Sequence, residues 1–296
     1  MRPICGGGFS VEFFDLDDFD VRDRIYQIED KCEKLRLYQE TLSDEERTVF
    51  ENLSLRAFVY HDSALDGLVI SNEELASVFT TYQAQHYTKN RVWQEIKNHE
   101  QALRQIVSES HKSRQNNLTH QCKTIRFDDV IAWHVQLFDQ IPKKKPGVLR
   151  NVVPLHLAYF HEIIAPEQIE ARLSRLCSFT ENPEFRAQHA INQAILFHNE
   201  FMRVFPFLEG SGKVGRLLMN SFLLQGGYRL AVIHGSERQS YYETLRDGPE
   251  KFRELVLDSL DATLEAEQRT IKRIGDFMPQ VENNRRVVQL QGEAVY

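Results

Sequence analysis

Between Phe205 and Asn220 the chain reads FPFLEGSGKVGRLLMN, with two glycines one residue apart, an acid just before them, and Lys213 and Arg216 just after. The stretch before it, about 184 to 204, has helical period, and LLMNSFLLQGG begins another apolar helix, so EGSGKVGR falls at a helix N-terminus. Exposed backbone N–H groups and the positive end of the helix dipole attract anions there, and the glycines let the main chain approach a phosphate closely. The same residues also suit an ordinary Gly-rich turn between two helices.

The elements that must position this loop are mostly helices. From Val21 to Leu75 apolar residues recur at three- and four-residue spacing with charges between them. Ser43-Asp44-Glu45-Glu46 and Ser71-Asn72-Glu73-Glu74 each read as a helix start, a capping residue ahead of acidic first-turn residues. DSALDGLVI between them reads as a short irregular connection. Further helices are expected at about 91 to 112, 127 to 140, 166 to 179, 184 to 204, 212 to 226, 238 to 247 and 249 to 274. The scarcity of strand-like alternation argues for a mainly α fold. The exception is Lys145 to Ala165, where Pro-Gly precedes β-branched and aromatic residues, as in an extended segment or hairpin. Beyond about Asp276 the helical period is lost, which predicts an appendage, a short strand pair or a partly ordered tail.

A formal charge of -7 gives no electrostatic reason to expect nucleic acid as the main partner, and Lys143-Lys144-Lys145 is a short basic run suited to a solvated loop. Cys5, Cys32, Cys122 and Cys177 are scattered with no CxxC spacing, so neither a zinc site nor a disulfide framework is expected, and a reducing compartment follows. No window reaches the roughly 18 apolar residues that span a bilayer, and the N-terminus has no secretory pattern. A soluble, cytoplasmic protein is expected, with export by a C-terminal or cryptic signal left open.

The loop resembles the signature of the Fic (Fido) family, HPFx(D/E)GNGRxxR, whose members are nucleotide-dependent transferases that most often attach AMP to a hydroxyl side chain. Pro206, Phe207, Glu209, Gly210, Gly212 and Arg216 match it, while Phe205 stands at the His, Ser211 at the Asn and Lys213 at the first Arg. The likeness extends to the preceding FRAQHAINQAILFHNEFMRVFPF, the following LLMNSFLLQGGYRLAVI and RQSYYETL, and upstream to FDDVIAWHVQLF and KPGVLR. It places about residues 55 to 265 on a helical Fic domain with a small β-hairpin flap, leaving 1–54 as a helical extension and 266–296 as a helix end and tail.

The resemblance implies that Glu209 holds Mg2+, a fitting hard-oxygen ligand. It implies that Gly210, Ser211, Gly212 and Lys213 line the phosphates of ATP or another nucleotide, that Arg216 contacts the γ-phosphate, and that Asn220, Tyr241 and Tyr242 form the nucleoside pocket. The alternative is that Glu209 and Arg216 pair with each other or with water while the tyrosines merely pack, and that no nucleotide binds. The family's motif His is a general base, and Phe205 has no titratable atom to replace it. His198, seven residues back and so roughly 10 Å along the helix, is a weak substitute better suited to a structural role. Ser211 offers only a hydroxyl, and Lys213 a point charge without the two-pronged donor of Arg.

His61 to Gly67 resembles the family's inhibitory pattern (S/T)xxxE(G/N), with Asp62 at the Ser/Thr position and Asp66 at the Glu, which implies an Asp66–Arg216 pair; a plain helix end fits the same residues. The segment 151–165 matches the flap that pairs with a target peptide by strand addition. Its Val152, Val153, Leu155 and Leu157 could instead be buried within the chain. The resulting expectation is a pseudoenzyme, inactive in AMP transfer, that binds a protein partner with or without a nucleotide. The alternative is an active transferase with another donor and a base such as His198 or Asp66.

Overall fold

A computed structural model of the chain describes residues 19–79, 91–115, 124–141, 144–154 and 161–293. Eleven α-helices are present among them: α1 (Phe19–Glu40), α2 (Asp44–Leu65), α3 (Asn72–Phe79), α4 (Arg91–Gln115), α5 (Phe127–Phe138), α6 (Ile169–Phe179), the single turn α7 (Pro183–Arg186), α8 (Ala190–Val204), α9 (Ser211–Gln225), α10 (Arg238–Asp247) and α11 (Pro249–Glu293). No sheet forms among the described residues; Leu149 and Phe207 share an isolated antiparallel bridge. The mainly α expectation therefore holds.

α8 and α9 are the centre of the molecule, packed on one another, with α4 across α9 and α11 along α8. Every residue from Ser211 to Leu224 is buried, which explains why this helix reads as almost continuously apolar in its second half. Phe185, Phe197, Phe201 and Phe222 interlock there, with ring centroids 5.4 to 6.1 Å apart. α1 lies on α11 through Ile25, Ile28 and Leu35 and through the ion pairs Arg24–Asp258, Lys31–Asp261 and Lys31–Glu265. These pairs are exposed enough that the apolar stripe, rather than charge, holds the helix down.

Local sequence signals account for the helix boundaries. At the start of α2, Ser43 Oγ accepts from the Glu46 N–H at 3.3 Å and the Glu46 carboxylate accepts from the Ser43 N–H at 2.9 Å. Ser71 and Glu74 repeat the arrangement at α3, at 3.1 and 2.9 Å. α2 runs to Leu65, so the irregular connection begins at Asp66 rather than at Asp62. The sharper correction is at the C-terminus. The expected loss of helix beyond Asp276 does not occur, because α11 continues to Glu293. It runs through Gly275 and Pro279, two residues of low helix propensity, so the local sequence offers no reason for the continuation. The expected hairpin at 145–165 is not seen in its described residues, and 155–160 lie outside them. Cys32 and Cys177 are free thiols, while Cys5 and Cys122 lie outside the described residues.

Replacing Ser43 by Ala removes one half of the α2 capping box and should lower the unfolding free energy by about 1 kcal/mol in a urea titration, with the m-value unchanged. No change in the midpoint would mean that packing at the α1–α2 corner, not the cap, starts the helix.

Candidate functional site

The loop between α8 and α9 is shaped by two residues of positive φ. Phe205 ends α8 at φ 44°, its N–H bonded to the Phe201 carbonyl at 2.8 Å, and Gly210 opens α9 at φ 81°. A Cβ on Gly210 would lie 2.1 Å from the Phe138 ring, so both space and backbone demand glycine. Inside the loop Ser211 Oγ accepts from the Phe207 N–H at 2.8 Å and donates to the Phe207 carbonyl at 2.9 Å. Its hydroxyl therefore closes the turn on itself and is fully buried.

Two further side chains, one in FDDVIAWHVQLF and one in KPGVLR, hold the loop from outside. His134 on α5 stacks on Phe207, centroids 3.7 Å apart and planes within 11°. The Gly147 N–H donates to its Nδ1 at 2.8 Å, so Nε2 carries the proton and donates to the Glu209 carbonyl at 2.9 Å. Burial pushes this imidazole down to about 4 and keeps it neutral. Arg150, from the Pro-Gly-x-x-Arg element, fans its guanidinium onto the carbonyls of Phe205 at 2.6 Å, Ile164 at 2.6 Å, Val152 at 3.1 Å and Val204 at 3.2 Å. It satisfies the free carbonyls at the end of α8 that no helix turn can serve.

Arg216 lies one turn into α9 and is 1% exposed. Its Nε donates to Asp62 Oδ1, and its Nη2 to the Asp62 carbonyl at 3.2 Å and to Asp66 Oδ1 at 2.8 Å. Nη1 reaches the Tyr241 hydroxyl at 3.4 Å, and that hydroxyl is 3.1 Å from His198 Nε2. Lys213 Nζ sits 3.5 Å from Asp66 Oδ2. The expected Asp66–Arg216 pair is thus present, and Asp62, assigned to the Ser/Thr position, adds a second carboxylate. Burial alone would raise the Asp66 carboxyl, but the charges of Arg216 and Lys213 hold it down at about 2. Burial works against the Arg216 cation as well, yet Asp62 and Asp66 keep it charged well above the ordinary range. His99 on α4 faces Asp62 Oδ2 at 3.4 Å, and burial pushes its imidazole down to about 4, so it does not compete as a cation.

The remaining expected site residues separate into those facing a cavity and those used internally. A cavity of about 570 Å3 is lined by Phe205, Glu209, Gly210, Gly212, Lys213 and Tyr242, together with Asp66, Phe138, Lys144 and Arg238. Glu209 is exposed at its edge and ion-paired with Lys144 rather than with Arg216. Arg238 covers the Tyr242 ring at 5.3 Å. Asn220 is fully buried, its amide nitrogen on the Arg216 carbonyl at 2.9 Å and its oxygen accepting from the Ala231 N–H at 2.7 Å. Tyr241 and His198 are fully buried, and His198 stacks on Phe252 at 4.5 Å. Beside Phe205 lies His161, ring centroids 6.2 Å apart, with its Nε2 3.0 Å from the Met202 carbonyl. Among the described residues no three His, Cys, Asp or Glu side chains gather as a metal site, and no helix is long and apolar enough to cross a membrane.

The buried neutral histidines set a pH dependence. His99 and His134 titrate at about 4 in the folded state against an ordinary 6.5, so the unfolded chain takes up their protons first and the stability due to their burial is lost as pH falls from 6.5 towards 4. Asp66 acts in a different window, since its depressed carboxyl stabilises the fold above 3.8 and loses that effect only below it. Melting temperature should therefore be flat above pH 7 and fall between 6.5 and 4. A plateau that persists to pH 4 would contradict the assignment of these imidazoles as neutral and buried.

Comparison with known proteins places this geometry. Residues 124–223, which span α5 to most of α9, match the sequence model of the Fic/DOC family. The chain is 24% identical over 187 residues to the protein adenylyltransferase Fic of Nematostella vectensis, covering 63% of this chain and 42% of that protein. It is 23% identical over 211 residues to the protein of the same name from Drosophila grimshawi, covering 70% and 41%. It thus spans about two fifths of the length of these relatives. Among solved structures, Fic-1 (residues 134–508) of C. elegans superposes with a TM-score of 0.65 at 19% identity, over 87% of this chain and 73% of that one. A Fic domain containing signaling protein from Bacteroides thetaiotaomicron gives 0.60 at 18%, over 85% and 94%. Motif, family match and fold agree: residues 124–223 form a Fic/DOC family domain within a Fic-like helical fold.

Proposed function

We propose that this chain is a Fic-fold pseudoenzyme that does not transfer AMP and acts by binding a protein partner. The observation that carries this reading is the state of Arg216. The arginine at the motif's phosphate-contacting position is buried, with Nε and Nη2 both occupied by Asp62 and Asp66. A triphosphate reaching it would meet two carboxylates, so the residues present do not fit a γ-phosphate there while the clamp is closed.

The proton-transfer side of the chemistry is equally poor. Phe205 stands at the motif His and has no group that could take a proton. His198 Nε2 is already hydrogen-bonded to the Tyr241 hydroxyl, and burial holds the imidazole well below its ordinary range. Asp66 is bound to two cations and, at about 2, is too weak a base to deprotonate a hydroxyl. Neither weighed substitute suits the role. Glu209 is exposed and could meet Mg2+, but only by leaving Lys144.

Binding fits the surface better. Val152 and Val153 are half-exposed rather than packed inside the chain, and Val148 and Leu208 join them. A groove of about 300 Å3 runs beside them, lined by Phe138, Leu149, Arg150 and Asn151 among others. An extended partner segment with apolar side chains suits this ground; Leu155 and Leu157 lie outside the described residues.

Incubation with Mg2+ and ATP labelled at the α-phosphate tests the proposal. The unmodified chain should transfer no label to itself or to a lysate. Adding Phe205→His, Ser211→Asn and Lys213→Arg should restore transfer only when Asp62→Ser and Asp66→Gly also release Arg216. The gain should be about 100-fold or more, the scale of general-base catalysis. Transfer by the unmodified chain that disappears in Arg216→Ala would overturn the reading.

A further inference from the structure

The Asp62 and Asp66 clamp sits on the last turn of α2, and that turn is fastened to the segment leading into α10 by an unusual joint. The imidazoles of His61 and His234 stack with centroids 4.2 Å apart and planes within 9°. The Gly235 N–H donates to His61 Nδ1 at 3.2 Å. Arg238 Nε donates to the Leu65 carbonyl at 2.8 Å, the other polar tie across the same seam. The backbones approach so closely that a Cβ on Gly235 would lie 2.7 Å from Ala64 Cβ, so the joint has no slack. His61 is half-buried and His234 exposed, which leaves the pair open to solvent protons.

We propose that the His61–His234 stack is a pH-sensitive latch: protonation opens the joint between α2 and the turn before α10, and so loosens the hold of Asp62 and Asp66 on Arg216. The closed joint needs His61 neutral, because Nδ1 must offer a lone pair to the Gly235 N–H, and an imidazolium has none. Two imidazoliums stacked at this distance also repel. The groups facing the pair do not neutralise it. The Glu237 carboxylate is 3.1 Å from the His234 backbone nitrogen and Arg238 adds positive charge to the same turn. On α2, Tyr60 meets His61 edge to face at 5.1 Å, while the Asp62 carboxylate points to Arg216 and His99.

The sign is fixed by linkage. Burial, then the neighbouring His234, pushes the His61 imidazole down to about 4 in the closed joint, against an ordinary 6.5 once it is open. Closure is therefore fully favoured above 6.5 and weakens as pH falls towards 4. Opening at pH 5 should be favoured on the order of tenfold or more over pH 7.5.

Amide hydrogen exchange, corrected for intrinsic rates, tests this on the unmodified chain and on His61→Asn, whose amide oxygen can take the place of Nδ1 without titrating. Protection of residues 233–237 and 64–67 should fall between pH 7.5 and 5.0 at least tenfold more in the unmodified chain than in His61→Asn, which retains only the loss due to His99 and His134, with far-UV circular dichroism unchanged in both. Equal loss in both proteins would place the titrating group elsewhere, and no loss in either would remove the latch. Loss confined to 233–237 would sever it from the clamp. None of these readouts depends on nucleotide or on transfer, so the latch stands or falls apart from the proposed function.

Discussion

A guanidinium that is 1% exposed must be met by negative charge, because an unpaired ion in the interior costs several kcal/mol. Arg216 imposes that demand at the start of the most buried helix of the fold, and much of the surrounding structure answers it. Asp62 and Asp66 bring the end of α2 onto α9, Tyr241 brings α10, and His198 ties Tyr241 back to α8. His99 closes the far side from α4. The balance is local and complete: Arg216 and Lys213 face Asp62 and Asp66, and the buried histidines around them stay neutral.

The same demand runs through the loop itself. Ser211 closes its own turn, Asn220 pins the chain at Ala231, and Lys213 answers Asp66. Polar groups that would have to face a ligand are satisfied inside the chain. His134 and Arg150 then hold the loop from outside by gripping main-chain carbonyls. That support fixes the shape of the loop through main-chain contacts.

The legible parts of the sequence were those governed by local rules. Ser43-Glu46 and Ser71-Glu74 announced two helix starts, and the glycines of the loop announced a helix N-terminus. The Asp66–Arg216 pair was legible through the family pattern. Asp62 was not, since a residue at a Ser/Thr position gives no sign of replacing a hydroxyl with a charge that reaches across the fold. His134 and Arg150 lie in stretches that match the family, FDDVIAWHVQLF and KPGVLR, but their grip on main-chain carbonyls 75 and 55 residues away is a contact that sequence pattern does not spell out. The continuation of α11 past Asp276 was not legible, since Gly275 and Pro279 both disfavour helix.

The central claim is that the Arg216 clamp is a buried, strong interaction rather than a surface contact. A double-mutant cycle in urea, comparing Asp62→Ala, Arg216→Met and the pair of changes together, measures it directly. The account predicts that Asp62→Ala alone costs about 3 kcal/mol or more and that Arg216→Met recovers much of that loss, because it removes the stranded cation. A coupling below about 0.5 kcal/mol, the scale of an exposed ion pair, would contradict it.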